Sequence, residues 1–164
     1  MAIYAADFET TTNPEDCRVW AWCICDIYDI DNTLIYGNTI ESFIDWLIKI
    51  RGKVYFHNLK FDGTFILDYL LKHNYTWFDK RKLSPGEFNT LISDMRQWYQ
   101  IRLVPRRSSG LDDEIQIIDS LKILPMPISE MPKSFGIEEK KLELDYKADR
   151  EIGHELTEHE KDYI

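Results

Sequence analysis

Apolar and polar positions alternate from Ile3 to Glu9, and Val19 to Tyr28 is rich in β-branched and aromatic residues. Both stretches read as strands. Between them Thr10 to Asp16, with its Asn13-Pro14 pair, is a breaker cluster and forms a turn. A third strand, Thr33 to Tyr36, follows Asp31-Asn32, a pair suited to a hairpin turn. Three strands in succession predict an antiparallel meander. The period then changes: Phe43, Ile44, Trp46, Leu47 and Ile50 recur at helical spacing, with Thr39 placed to cap the helix and Gly52 to end it. Lys53 to His57 is a short strand, and Phe65, Ile66, Tyr69 and Leu70 mark one face of a second helix. Strand patterns return at Asn89 to Ser93, Gln97 to Val104 and Glu114 to Ile118, with a basic loop at Arg106 to Gly110. The remainder is polar and helical, ending in a helix begun near Thr157, which forms a capping box with Glu160.

This order of elements places the chain in the α/β class, as a mixed β-sheet flanked by helices. A length of 164 residues with 44% hydrophobic and 13% aromatic content fits one domain with an ordinary core, so neither a second domain nor disorder is expected. No repeat, low-complexity tract or linker interrupts it. Acidic Asp7 and Glu9 stand where a signal peptide needs an apolar stretch, and no apolar run reaches the length of a membrane span. A soluble, cytoplasmic protein with no membrane partner is the expectation, and a monomer. Cys17, Cys23 and Cys25 are an odd set without a CxxC pair, which points to reduced core thiols rather than disulfides or structural zinc.

A net charge of −9 opposes nucleic-acid binding, because phosphate is ordinarily met by Lys and Arg. The objection weakens where carboxylates hold metal ions, which cancel local charge and face phosphate with positive charge. Three basic clusters could line a strand: Lys80, Arg81 and Lys82; Arg102, Arg106 and Arg107; and Lys140 with Lys141. Taken singly, each is also the ordinary solvated face of an acidic protein.

Asp7 and Glu9 lie two apart on a strand, so their side chains leave the same face. Like charges so placed repel, and a hard cation with oxygen ligands is the simplest relief. The bland alternative is a solvated strand end. Asp62 stands at the start of the second helix, where capping alone would explain it. His57, Asn58, Phe61 and Asp62 nevertheless cluster between a strand end and a helix start, where α/β sheets tend to place their sites.

These residues resemble those of a known family. Asp7-Phe8-Glu9-Thr10-Thr11-Thr12 is similar to the first exonuclease motif of family B DNA polymerases, and His57-Asn58-Leu59-Lys60-Phe61-Asp62-Gly63 to the second, in the form of the protein-primed branch of phages, adenoviruses and linear plasmids. Asp119-Ser120-Leu121-Lys122-Ile123-Leu124-Pro125 resembles that branch's Ser/Thr-Leu-x-x-hydrophobic motif. Lys141 with Leu144-Asp145-Tyr146 resembles its Lys-x-x-hydrophobic region. The likeness runs in order through nearly the whole chain.

The resemblance implies an RNase H-like fold of the DnaQ-like exonuclease group, and a proofreading 3′→5′ exonuclease that hydrolyses single-stranded DNA with two divalent metal ions, Mg2+ or Mn2+. It implies Asp7, Glu9 and Asp62 as metal ligands. Thr10, His57, Asn58, Phe61, Ser120, Leu121 and Tyr146 would contact the DNA 3′ end, and Lys141 the scissile phosphate. Two-metal cleavage has a clear rationale, since ions about 3.5–4 Å apart activate the attacking oxygen and relieve charge on the leaving one. Stacking on aromatic rings suits an editing nuclease, because it accepts any base.

The family's third motif is Tyr-x-x-x-Asp, and Tyr163 stands where its tyrosine belongs. The aspartate would fall three residues beyond Ile164. Asp162 points about 100° away along a helix and does not substitute. The expectation is therefore a single exonuclease domain over residues 1–164, cut just before its third motif is complete, lacking the polymerase domain and impaired in cleavage. In the family the partners are single-stranded and primer-template DNA, the terminal protein primer and deoxynucleotides. Rival readings are a non-catalytic single-strand binding module, an RNase H-like nuclease acting on RNA, and a plain structural acidic domain, which leaves the ordered motifs unexplained.

Overall fold

The structure is a computed structural model and describes residues 2–50, 52–108, 113–138 and 142–164. Its centre is an eight-stranded mixed sheet. The strands are β1 (Ala2–Thr10), β2 (Val19–Asp26), β3 (Ile35–Gly37), β4 (Gly52–Phe56), β5 (Thr76–Trp77), β6 (Glu87–Ile92), β7 (Trp98–Leu103) and β8 (Ile115–Asp119). Their order across the sheet is β3-β2-β1-β4-β8-β7-β6-β5. The antiparallel meander β1-β2-β3 is as expected, while β4 lies parallel to both β1 and β8. Helices α2 (Ile40–Leu47) and α3 (Leu59–Lys72) supply the two crossovers that parallel pairing demands.

Both helices pack on one face of the sheet. Phe43, Ile44 and Leu47 of α2 and Leu59, Ile66 and Leu70 of α3 bury against Phe8, Trp22, Ile24, Val54, Phe56, Ile101, Leu103, Ile115 and Ile117. Phe8 meets Phe43 and Phe56 edge to face, with centroids 4.7 and 4.9 Å apart. Thr39 caps α2 as expected: its hydroxyl accepts from the Ser42 N–H at 3.1 Å, and Ser42 returns a bond to the Thr39 N–H. Gly63 lets α3 approach β7, since a Cβ there would stand 2.9 Å from the Trp98 ring.

Several expectations are corrected. Asp31-Asn32 lies within a short helix, α1 (Ile30–Thr33), and the third strand starts only at Ile35. Thr33 instead serves the turn, its hydroxyl accepting from the Asp26 N–H. Gly52 opens β4 rather than ending α2, and a side chain there would collide with the Ala2 carbonyl. The stretch after β8 is less helical than its polarity implied. It holds a 3-10 turn at Ser120–Lys122, another at Ile128–Glu130, α4 (Met131–Phe135) and α5 (Glu158–Tyr163), joined by irregular chain. Of the cysteines, Cys23 is buried and Cys25 half-buried, but Cys17 is exposed. Among the described residues no helix is long and apolar enough to cross a membrane.

Candidate nuclease site

β1 runs further than its parallel neighbour. The β1–β4 ladder ends at Ala5 opposite Tyr55, and β4 turns off after Phe56 into α3, so Asp7 and Glu9 lie where β1 projects beyond the sheet's parallel edge. Ala6 and Phe8 bury toward α2 and α3, and alternation therefore turns Asp7 and Glu9 to the opposite face. Asp7 pairs with Cys23 there, and the Cys23 thiol is pushed up to about 12 by burial and then by the Asp7 carboxylate.

The first turn of α3 brings Asp62 to the same notch. Asn58 adopts a left-handed conformation (φ 70°), which Asn tolerates better than most residues, and this sharp turn starts the helix directly at the end of β4. Asp62 does not cap the helix. Asp119, at the end of β8, does so, its Oδ1 accepting from the N–H groups of Asn58 at 3.1 Å, Leu59 at 3.3 Å and Leu121 at 3.0 Å. Asp62 is left 4% exposed, with its Oδ1 buried and lacking a hydrogen-bond partner. Its carboxyl is raised to about 8, by burial first and by the charge of Asp7, with smaller contributions from Glu9 and Asp119. Four carboxylates thus share one electrostatic neighbourhood.

The consequence is a stability that depends on pH. A carboxyl with a raised folded-state value stabilises fully only below the unfolded value of 3.8, and that contribution is lost as pH rises through about 8. Asp62→Asn should therefore flatten the decline of melting temperature between pH 5 and 8 in metal-free buffer. A decline as steep as that of the unmodified chain would show that the burial of Asp62 is not what drives it.

Tyr163, on α5, completes the group. Its phenol is raised by burial foremost, and the charges of Glu9 and Asp7 add to this, which locates it beside the β1 carboxylates. Its hydroxyl meets that of Tyr146, and the two rings stand edge to face with centroids 6.3 Å apart. The Tyr146 carbonyl in turn accepts from the Thr12 hydroxyl at 3.3 Å. Around the notch, Phe61 is 50% and Tyr146 45% exposed, so both offer ring surface. Asn58 is exposed, whereas Thr10, Ser120 and Leu121 are half-buried. His57 is tied inward, its Nε2 donating to the Met126 carbonyl at 2.9 Å and its Nδ1 sharing a hydrogen bond with Ser120 Oγ at 3.1 Å. Lys140 and Lys141 lie outside the described residues. In the other two basic clusters, Lys80 pairs with Glu87, Arg102 with Glu114, and Arg106 bonds the Asn74 carbonyl.

The segment bearing both tyrosines is held by a buried ion pair that the chain's patterning did not single out. Arg150 donates from Nε to Glu160 Oε1 at 2.9 Å, and both residues are under 9% exposed. Burial alone would raise the Glu160 carboxyl, but hydrogen bonds from the Thr157 N–H, His154, Arg150 and the Thr157 hydroxyl outweigh it and hold the group down at about 2. A depressed carboxyl contributes stability above its unfolded value, so this contribution should fade as pH falls from 4.5 toward 2. Glu160→Gln should remove that acid-limb slope in melting scans.

A lone, unbonded carboxylate oxygen amid like charges fits a divalent cation, which would relieve both the repulsion and the missing bond. Among the described residues no three His, Cys, Asp or Glu side chains form a ready-made metal cage.

The family model for DNA polymerase type B, organellar and viral, matches residues 45–164. The chain is 41% identical over 162 residues to the DNA polymerase of Bacillus phage B103 and 40% to that of Bacillus phage phi29, in each case covering 99% of this chain and 28% of the relative. The DNA polymerase of Streptococcus phage Cp-1 is 34% identical over 145 residues, covering 80% of this chain and 23% of the relative. The chain thus spans about a quarter of its relatives' length. The structure superposes on Phi29 DNA polymerase complexed with primer-template DNA and incoming nucleotides with a TM-score of 0.91 and 37% identity, covering 99% of this chain and 28% of that one. The single-stranded DNA complex of the same enzyme gives 0.90. The mixed sheet and its helices are therefore the RNase H-like fold of those polymerases. The chain belongs to the type B DNA polymerases of organelles and viruses, on the protein-primed phage branch.

Proposed function

We propose that this chain is the proofreading 3′→5′ exonuclease region of its polymerase, removing nucleotides from the 3′ end of single-stranded DNA. The observation that carries this reading is the buried Asp62 carboxyl at the start of α3, whose Oδ1 lacks a hydrogen-bond partner and which feels the charges of Asp7 and Glu9 on β1. Such an arrangement costs stability, and proteins retain such costs chiefly at functional sites.

In this reading Asp7, Glu9 and Asp62 hold two divalent ions, Mg2+ or Mn2+. The ions would supply an activated water at neutral pH and stabilise the developing charge on the phosphate. The protein's own residues position the strand. Phe61 and Tyr146 present exposed rings for base stacking, and Asn58, Ser120, Leu121 and Thr10 border the terminal nucleotide. Tyr163 orients the attacking water by its hydroxyl, and Lys141 contacts the scissile phosphate. His57 acts mainly by fixing the Asn58 turn against Ser120. The phi29 polymerase structures with single-stranded and primer-template DNA support DNA as the ligand. The polymerase activity, the terminal protein primer and deoxynucleotides belong to the proposal for the whole protein.

The test is a labelled single strand incubated with the full-length parent protein and Mn2+. Shortening from the 3′ end supports the nuclease, with the RNA strand of equal sequence spared. Binding without shortening favours a single-strand binding module, the rival that the absence of a preformed cage among the described residues leaves standing. Digestion of RNA alone would overturn the assignment to DNA.

A further inference from the structure

Tyr163 sits on a helix of six residues, far too short to persist on its own. Tyr146 lies in irregular chain. Yet their hydroxyls meet, and α5 ends against Cys23, the β2 partner of Asp7, whose thiol reaches the Ile164 carbonyl at 3.5 Å, so something must hold two weakly structured segments in register. The brace is visible. One Arg150 guanidinium reaches both: Nε donates to Glu160 Oε1 at 2.9 Å, and Nη1 donates to the Asp145 carbonyl at 3.0 Å and the Ala148 carbonyl at 3.3 Å. The Asp145 carbonyl belongs to the peptide that begins Tyr146. Glu160 is three residues before Tyr163, hence on the same side of α5.

The brace is itself fixed to the sheet. A bulge in β2 pairs Glu9 with Ala21 and Thr10 with Val19, leaving Trp20 as the extra residue. Val19 and Trp22 stay in the core, while Trp20 packs its ring under the guanidinium at 3.9 Å. Glu160 Oε2 is saturated separately, by the Thr157 N–H at 3.0 Å, the Thr157 hydroxyl at 3.1 Å and His154 Nε2 at 2.8 Å. Both oxygens of the carboxylate are thus bonded within this segment.

We infer that Arg150 and Glu160, seated on Trp20, are positioning residues of the exonuclease site, which set Tyr163 against Tyr146 and present both to the carboxylates of β1. The inference rests on the exonuclease reading for its purpose, but its geometry can be tested without metal or DNA. The residues touch no reacting group; they act through the two tyrosines.

The experiment is an NOE spectrum of the chain with Arg150→Met, which keeps an apolar stem over Trp20 and removes every N–H donor. The expected result is loss of the Tyr146–Tyr163 ring contacts with those of Phe8 to Phe43 and Phe56 retained. Glu160→Gln, which keeps shape and loses charge, should weaken the same contacts at an intact core. Unchanged tyrosine contacts in either folded variant would overturn the inference. So would loss of the Phe8 contacts in both, which would make the pair a support of the whole fold rather than of the site. Failure of the chain to cleave DNA bears on the exonuclease reading alone, because the ring contacts are scored without substrate.

Discussion

Asp7→Ala together with Glu9→Ala should abolish shortening of single-stranded DNA by the full-length parent protein while leaving the fold intact. Metal-ion catalysis is worth several kcal/mol of transition-state stabilisation, and at one decade per 1.36 kcal/mol its loss is roughly a 1,000-fold fall in rate or more. The fold should survive, because both side chains leave β1 on the face away from the Phe8 core and only half-buried. The melting temperature should hold or rise, since removing them relieves the repulsion felt by Asp62. An electrophoretic digest of a 3′-labelled strand against a thermal melt reads both arms. Undiminished digestion by the folded double variant would remove these residues from the reaction.

The largest expected effect on stability comes from Asp119→Ala. Asp119 is 2% exposed, and one of its oxygens serves three backbone N–H groups that open α3 and the 3-10 turn, with Lys122 at 3.8 Å from the other. Removing a helix cap costs about 1 kcal/mol, and leaving the one buried donor, the Leu59 N–H, unpaired adds about 1–3, so roughly 3 kcal/mol is expected. In a chain of this size each kcal/mol moves the midpoint by about 2–4 °C, so a fall of about 6–12 °C should appear by calorimetry. Asp119→Asn keeps an acceptor oxygen and should lose less. Equal losses in the two variants would show that the charge, rather than the hydrogen bonds, is what Asp119 contributes. Because the Asn58 turn hangs from this carboxylate, the alanine variant should also blunt DNA binding.

Where a residue's neighbours along the chain settle its environment, the sequence was a good guide. The alternation around Phe8, the cap at Thr39 and the helical spacing of Phe43, Ile44 and Leu47 each concern a handful of adjacent residues, and β1 and α2 stand close to their expected places. Local signals misled where a tertiary partner decided instead. Gly52 looks like a helix stop but is required by the Ala2 carbonyl of the adjoining strand. Asp62 looks like a cap, yet Asp119 reaches across from β8 to do the capping, and this leaves Asp62 free of that duty in the notch. The family motifs named the carboxylates and Tyr163, since motif spacing records a site directly. Arg150 and Glu160 carry no motif of this kind, for their meaning lies in a buried pairing across ten residues of irregular chain. The capping box at Thr157 hinted at Glu160, but its second oxygen, aimed at Arg150, could not be read from spacing.

Asp7, Glu9 and Asp62 are expected to bind cations at one shared site with Tyr163 at its edge. Titrating the chain with Mn2+ and following paramagnetic broadening of assigned resonances tests this most directly. The Gly63 amide and the Tyr163 ring should broaden first, the exposed Ile92 on β6 should stay sharp, and the double alanine variant should show no such pattern. Saturable broadening centred elsewhere, or the same pattern persisting without Asp7 and Glu9, would contradict the account.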